Sequence, residues 1–336
     1  MIVIGRQRGP RLRGAVDVAS ADSFPASDAP ARGPMTGVGA PARAPQVLHP
    51  TDYSGPSRAA FELAGLLARG WAGRLTLMHA AAPPPASLGL VAGPALPAGY
   101  RGAWESQLSL LRPRAPALPV DYLIEEGDPA DAILRAAHRT GCGLIVMGAR
   151  RRAGWGWLRR GVTGRVARRA PCPVLTLMPR PGADWECGAR EEALAPGPIL
   201  HATDFSAPAR CAFAVASALA RAAGRELLVV HVVPGRLWRR SGHRRQADEL
   251  LGRLTSSARG VRARGLVLPG DAAAQTICAA DQLGCGLIVT GTRGGTWLQR
   301  LLTGSVARSV QRGAPCAVLT AQLPAEGTGA AKRSDE

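Results

Sequence analysis

Residues 291–306, GTRGGTWLQRLLTGSV, space three glycines and a serine as G-x2-G-x9-G-S: Gly291, Gly294, Gly304 and Ser305. An apolar run, GLIVTG (286–291), precedes them, and the pattern predicts a helix beginning near Gly304. These residue types suit phosphate. Glycines adopt positive φ and let the backbone approach an anion closely. The free N–H groups at a helix N-terminus, with the helix dipole, attract negative charge. The Ser305 hydroxyl adds a donor, and no lysine is needed. A Gly-rich turn between strand and helix is also an ordinary tight turn, so the motif alone leaves both readings open. Arg293, inside the loop, either offsets phosphate charge or points to solvent. Asp204 is the second candidate. It closes the strand-like HAT (201–203), where a carboxylate can accept from a ribose hydroxyl or an adenine amino group. By itself Asp204 reads as a turn or helix-capping residue, with Ser206 as the other candidate cap. Beside a phosphate loop from a neighbouring strand it becomes one jaw of a nucleoside clamp.

Other chemistries find no support. Of 42 basic residues one is a lysine, Lys332, in the polar tail. That excludes a Walker phosphate loop, a protein kinase and a pyridoxal-dependent enzyme. No G-x-S-x-G follows a strand, and no Ser/His/Asp or Cys/His set is spaced for nucleophilic catalysis. No catalytic residue is therefore assigned, and any nucleotide hydrolysis is expected to be slow and incidental. His49, His79, His201 and His231 have no Cys, Asp or His at metal-ligand spacing, so ordinary strand-end hydrogen bonds are expected and no metal site. The cysteines, at 142, 172, 187, 211, 278, 285 and 316, are odd in number, include no C-x-x-C and lie mostly in apolar runs. Reduced, buried thiols of a cytoplasmic protein follow as the expectation.

The elements that must position these residues come from a repeat. LHPTDYS (48–54) returns as LHATDFS (200–206), and GDPADAIL (127–134) as GDAAAQTI (270–277). GCGLIVMGAR (141–150) returns as GCGLIVTGTR (284–293), and APCPVLT (170–176) as APCAVLT (314–320). A WL…TG pair at 157–164 recurs at 297–304. The offsets, 140 to 152 residues, indicate two copies of one domain, 46–180 and 196–322. The length of 336 residues agrees with about two domains, and 46% apolar residues supply a core for each. Segments 1–45 and 323–336 read as disordered, the first rich in Pro, Gly and Arg, and 181–195 as a linker.

Each copy alternates strand and helix. In the second, strands are predicted at 198–203, 226–232, 265–270, 286–291 and 316–321. Helices open at Ser206–Pro208, run over 243–260 and 271–284, and start again near Gly304. The first copy repeats this order, with a longer Pro/Gly-rich connection over 81–102. Five strands alternating with helices predict an α/β domain with a parallel sheet covered on both faces. Such sheets bind ligands beyond the carboxyl ends of the strands, where strand order reverses.

T-D-F-S after the first strand, LLVVHV at the second, GD…I before the third helix, GLIVTGTRGG and GAPCAVL together resemble the universal stress protein family. The likeness covers both copies, and 291–305 fits the pattern of the family's ATP-binding branch. The resemblance implies two doubly wound domains, each with a five-stranded parallel sheet in the order 3-2-1-4-5. It implies strand five pairing between domains, here repeat with repeat as an intrachain pseudo-dimer, with a homodimer also open. It implies ATP, with Mg²⁺, as ligand in a stress-response role. Asp204 and Val232 would contact adenosine, and Gly291, Gly294, Gly304, Ser305 and Val306 the ribose and phosphates.

The first copy departs from the pattern. Asp52 matches Asp204, Gly148 matches Gly291, and Ala80 replaces Val232. Gly154 to Gly164 keeps the nine-residue gap, but five residues rather than two separate Gly148 from Gly154. Matched on the TG pair, Arg165 stands for Ser305, and the helix that follows is shorter. A weakened or lost site at Asp52, Gly148, Gly154, Gly164 and Arg165 is expected. Both copies carry glycine, 143 and 286, where family members often have Asp.

The net charge of +18 favours polyanionic partners, although near-complete replacement of Lys by Arg also fits a GC-rich genome. Aromatics at 4% leave few platforms for stacking single-stranded nucleic acid. Eight arginines in 150–169 leave nucleic acid open and otherwise form a solvated face. No apolar run approaches the ~18 residues of a membrane span.

Overall fold

The computed structural model describes residues 46–81, 98–111, 118–149, 161–178, 195–238, 241–292 and 305–323. All lie within one compact unit, residues 40–336. The expected tails at 1–45 and beyond Leu323, and all of the linker but Ala195, lie outside the described residues.

The first repeat contributes β1 (Gln46–Thr51), α1 (Gly55–Gly70), β2 (Arg74–Ala81), α2 (Ala98–Ser109), β3 (Val120–Glu126), α3 (Pro129–Thr140), β4 (Leu144–Gly148), α4 (Val162–Arg169) and β5 (Val174–Met178). The second contributes β6 (Ile199–Ala202), α5 (Ala207–Ala223), β7 (Leu227–Val233), α6 (Gly235–Trp238), α7 (Ser241–Ser256), β8 (Ala263–Pro269), α8 (Ala272–Gln282), β9 (Leu287–Thr292), α9 (Ser305–Gly313) and β10 (Ala317–Gln322). The expected strands appear within a few residues of their predicted places. The short α6 was not anticipated. The predicted helix over 243–260 stops at Ser256, and the chain turns at Gly260, whose φ is 71°.

One sheet runs β3-β2-β1-β4-β5-β10-β9-β6-β7-β8, so each half has the order 3-2-1-4-5. Pairing within each half is parallel. The halves join where β5 meets β10 antiparallel, with Thr176 opposite Thr320. That central pairing confirms the repeat-with-repeat arrangement.

The sequence explains the elements locally. Ser54 and Ser206 cap α1 and α5 by accepting from the N–H groups of Ser57 and Ala209, and a proline follows each cap in the first turn. Asp128 and Asp271 cap α3 and α8 in the same way. Gly141 and Gly224 end α3 and α5 in the left-handed conformation.

Strand residues alternate between faces, and the two faces have different fates. On one, Val47, Leu63, Leu67 and Leu75 join Leu219, Leu227, Val229 and Leu319 in a core shared by both repeats. Helices α1 and α5 meet across it, where a Cβ on Gly70 would lie 3.5 Å from the Ala218 carbonyl oxygen. On the other face each repeat keeps its own core. Leu48, Ile133, Ile145 and Val166 form that of the first. Leu200, Ile288, Val310 and Val318 form that of the second. At ~1.5–3 kcal/mol for each large apolar side chain, the shared face makes the two repeats one energetic unit.

One ladder differs between the halves. β6 pairs β9 from Ile199–Leu287 through Ala202–Thr290, whereas β1 pairs β4 only at Val47–Leu144 and Leu48–Ile145. Pro50 stands where Ala202 does and has no N–H with which to extend the ladder. The glycines without an earlier account also find one on the second repeat. A Cβ on Gly286 would lie 1.9 Å from the Ala195 carbonyl oxygen, because the chain entering β6 crosses there.

Candidate functional site

The T-D-[YF]-S segments form a tight corner at the carboxyl ends of β1 and β6. Tyr53 and Phe205 both have φ of 61°, a left-handed conformation that bulky side chains rarely adopt. Each is held from several sides. Their N–H groups donate to Thr51 Oγ1 and Thr203 Oγ1, at 3.0 Å in both repeats. His79 Nδ1 and His231 Nδ1 donate to the carbonyl oxygens of the same threonines, each at 2.9 Å. The histidine rings pack on Tyr53 at 4.9 Å and on Phe205 at 4.6 Å. Asp52 and Asp204 are exposed, and each accepts the N–H two residues on, from Ser54 and Ser206, at 3.0 Å. The serines are therefore the helix caps, and the aspartates close the corner with an outward-facing carboxylate.

Gly148 ends β4, the neighbour of β1, and Gly291 is the last residue but one of β9, the neighbour of β6. A Cβ on Gly291 would lie 2.5 Å from the carbonyl carbon of Pro208, and one on Gly148 would lie 2.3 Å from the Pro56 carbonyl oxygen. The first turns of α5 and α1 thus press on these glycines, so packing alone demands them. Val232 and Ala80, on β7 and β2, are half-buried against their own repeat's core. Val306, in the first turn of α9, is 37% exposed. Asp204, Val232 and Gly291 thus come to the carboxyl ends of three adjacent strands, β6, β7 and β9, and α9 is described from Ser305 on. Gly294, Gly304, Arg293 and Gly154 lie outside the described residues.

The structure corrects one correspondence. Gly164 does not precede a helix; it lies inside α4, which begins at Val162 behind Gly161. Val166 and Val310 are both fully buried, and each accepts at 2.8 Å from the N–H four residues on, of Ala170 and Ala314. In that register Arg165 matches Ser309, and Gly161 matches Ser305. The expected shortening of the helix disappears, since α4 and α9 span 8 and 9 residues. The misreading arose because the TG pair recurs at a different helical position in each copy. Gly161 makes no side-chain cap, so the N-terminus of α4 has no hydroxyl. In sequence, Arg160 takes the place of Gly304.

Arg165 has another role. Its guanidinium donates to Asp128 Oδ2 at 2.8 Å and Asp131 Oδ2 at 3.2 Å, and Arg169 donates to Asp131 Oδ1 at 2.7 Å. These bonds tie α4 to the N-terminal turn of α3, and the Arg165 guanidinium holds the Asp128 carboxyl below its usual range. Part of the arginine run over 150–169 is therefore spent within the fold, while Arg150, Arg151, Arg152, Arg159 and Arg160 lie outside the described residues.

Beneath each corner sits a fully buried histidine. His49 Nδ1 donates to the Val146 carbonyl at 2.8 Å, and His201 Nδ1 to that of Val289 at 3.1 Å. Burial lowers both to about 4, so both rings are neutral near pH 7. In the first repeat Ser57 Oγ lies 3.4 Å from His49 Nε2 and 3.1 Å from Thr51 Oγ1. In the second Ala209 replaces Ser57, and His201 Nε2 has no hydrogen-bond partner among the described residues. Among the described residues, the first repeat alone adds an aromatic stack, with Trp104 of α2 at 4.3 Å from His79 and 5.9 Å from Tyr53. The left-handed corner escaped sequence reasoning, whereas the histidine bonds agree with the strand-end hydrogen bonds expected of these residues. The recurrence of T-D-aromatic-S was the corner's only signal.

Among the described residues no helix is long and apolar enough to cross a membrane. No curated protein matches the chain in sequence. Among solved structures, a universal stress protein from Archaeoglobus fulgidus DSM 4304 is 18% identical, with a TM-score of 0.54, covering 83% of this chain and 98% of that one. A protein described as a putative universal stress protein from Pseudomonas aeruginosa UCBPP-PA14 is 20% identical, with a TM-score of 0.52, covering 82% of this chain and 92% of that one. The Archaeoglobus fulgidus universal stress protein solved in complex with dAMP is 27% identical, with a TM-score of 0.33, covering 38% of this chain and 98% of that one. The family model described as the universal stress protein family matches residues 45–177 and again 197–322, and with both repeats so matched the chain belongs to that family.

Proposed function

We propose that the second repeat binds ATP, with Mg²⁺, in the crevice beyond β6 and β9, and that the chain acts as a nucleotide-responsive regulatory protein of stress physiology. Asp204 and Val232 hold the adenosine. Gly291, Gly294, Gly304, Ser305 and Val306 hold the ribose and phosphates. The observation that carries this reading is the arrival of Asp204 and Val232 at the carboxyl ends of the adjacent strands β6 and β7, with β9, on the other side of β6, leading into G-x2-G-x9-G-S. A helix opening behind the last glycine of the motif would add free N–H groups and the positive end of its dipole beside the strand-order reversal. The crevice of the first repeat, at Asp52, Gly148 and Gly154, is weakened or lost. In support, α4 begins at Val162 behind Gly161, which offers no hydroxyl, and Gly164 and Arg165 belong to α4, with Arg165 engaged by Asp128 and Asp131.

No catalytic base is assigned, so hydrolysis is at most slow. Turnover above ~1 s⁻¹ would instead favour a nucleotide hydrolase or transferase on the same fold. Calorimetric titration of nucleotide-free protein with ATP and Mg²⁺ is the test. One site per chain, lost in Gly304→Trp with the fold intact, is the expected result. Two sites would overturn the asymmetry between repeats. No binding would leave an interaction module whose glycines serve only as turns.

A further inference from the structure

A second chemistry lies at the opposite end of the strands. Cys142 follows the left-handed Gly141 that ends α3, and Cys172 sits between α4 and β5. Their sulfurs are 3.6 Å apart, and the side chains are buried but not sealed, at 5% and 7% exposure. The second repeat places Cys285 behind its own left-handed Gly284, and Cys316 before β10, at 6% and 5% exposure. Two copies that have diverged at the helix start and around the buried histidines thus both retain this pair of thiols. Cap geometry requires the glycine before the first thiol, but it requires no sulfur.

We propose that Cys142 and Cys172 are a hydroperoxide-oxidised dithiol that closes to a disulfide joining the α3–β4 and α4–β5 turns. The Cys142 thiolate attacks the peroxide O–O bond and becomes a sulfenic acid, releasing hydroxide or alkoxide. The Cys172 sulfur attacks the sulfenic sulfur, the S–S bond forms, and the departing hydroxide leaves with the Cys172 proton as water. The dithiol gives up two electrons and the peroxide accepts them. The sulfurs must approach by about 1.5 Å to reach bonding distance.

The order of attack follows from the surroundings. The sulfur–sulfur hydrogen bond lowers Cys142 and raises Cys172. In the second repeat burial and Glu226 push Cys285 up to about 11, and burial with Cys285 pushes Cys316 up to about 12. Thiolate population governs reactivity, so the first repeat reacts first.

The test treats full-length reduced protein with graded hydrogen peroxide, then alkylates it and maps its peptides by mass. The expected product is a Cys142–Cys172 cross-linked peptide, formed at lower peroxide than any Cys285–Cys316 peptide. In Cys172→Ser, Cys142 should accumulate as a sulfenic acid captured by a 1,3-dione probe. Three outcomes would overturn the proposal: both thiols still alkylated when half-buried Cys278 is oxidised, Cys142 passing to sulfinic acid with Cys172 intact, or Cys285–Cys316 closing first. The wild-type map alone decides between them should the variant not fold.

Discussion

The two repeats are best understood against each other. Both keep the left-handed aromatic corner, the outward aspartate, the glycine pressed by a helix turn, and the neutral buried histidine. Packing accounts for all but the aspartate. Gly291 therefore argues little for a ligand, because Gly148 meets the same crowding in the repeat expected not to bind. The difference that bears on a ligand lies at the helix after the fourth strand, where Gly161 caps α4 without a side chain and Ser305 stands at the matching position. A ligand hypothesis should rest on residues that packing does not already demand.

The comparison can be broken or sharpened in four ways. Acid should strike both repeats alike. The folded pKa of each buried histidine, about 4, lies below the ordinary 6.5, so its contribution is complete above pH 6.5 and declines as pH falls toward 4. The loss approaches about 3 kcal/mol per histidine, read from urea midpoints across that range. A flat profile would mean that the rings accept protons without unfolding. Next, Gly148→Ala and Gly291→Ala should each cost roughly 1–3 kcal/mol in ligand-free protein, as expected of overpacking against backbone. A loss confined to Gly291→Ala would show that the crowding is not shared. Third, Ala209→Ser supplies His201 with the hydroxyl that His49 already has, and should stabilise by about 1 kcal/mol. No gain in thermal midpoint would imply that water already serves Nε2. The smallest effect belongs to Arg165→Ala. Its ion pairs are surface-exposed, so the thermal midpoint should drop slightly at low salt and not at high salt. Recovery of a second nucleotide site in that variant would restore Arg165 to the crevice.

Much of the fold was legible because apolar runs such as LIVMG and LLVVHVV leave few alternatives to buried parallel strands, and because the repeat doubled every signal. The repeat also misled. Matching TG with TG placed Arg165 at a helix start, whereas the buried Val166 and Val310 fix the true register. Short motifs align letters, but burial aligns turns of helix. Positive φ at Tyr53 and Phe205 could not be foreseen, since aromatic residues carry no propensity for it. The phosphate-facing part of the motif, from Gly294 to Gly304, lies outside the described residues, so that portion of the site still rests on sequence.

The antiparallel seam between β5 and β10 has a consequence for stoichiometry. Each of these edges is satisfied by the other within one chain, so neither is open to recruit a second copy. The outer strands that remain, β3 and β8, discourage pairing with Asp121 and Glu126 on one and Pro269 on the other. Because the halves are tethered, they meet at an effective concentration that does not depend on expression level. Every molecule therefore contains one of each half, and a change confined to one half cannot be diluted by pairing with an unaltered copy. Such an arrangement permits a division of labour that a homodimer, with two identical faces, cannot sustain.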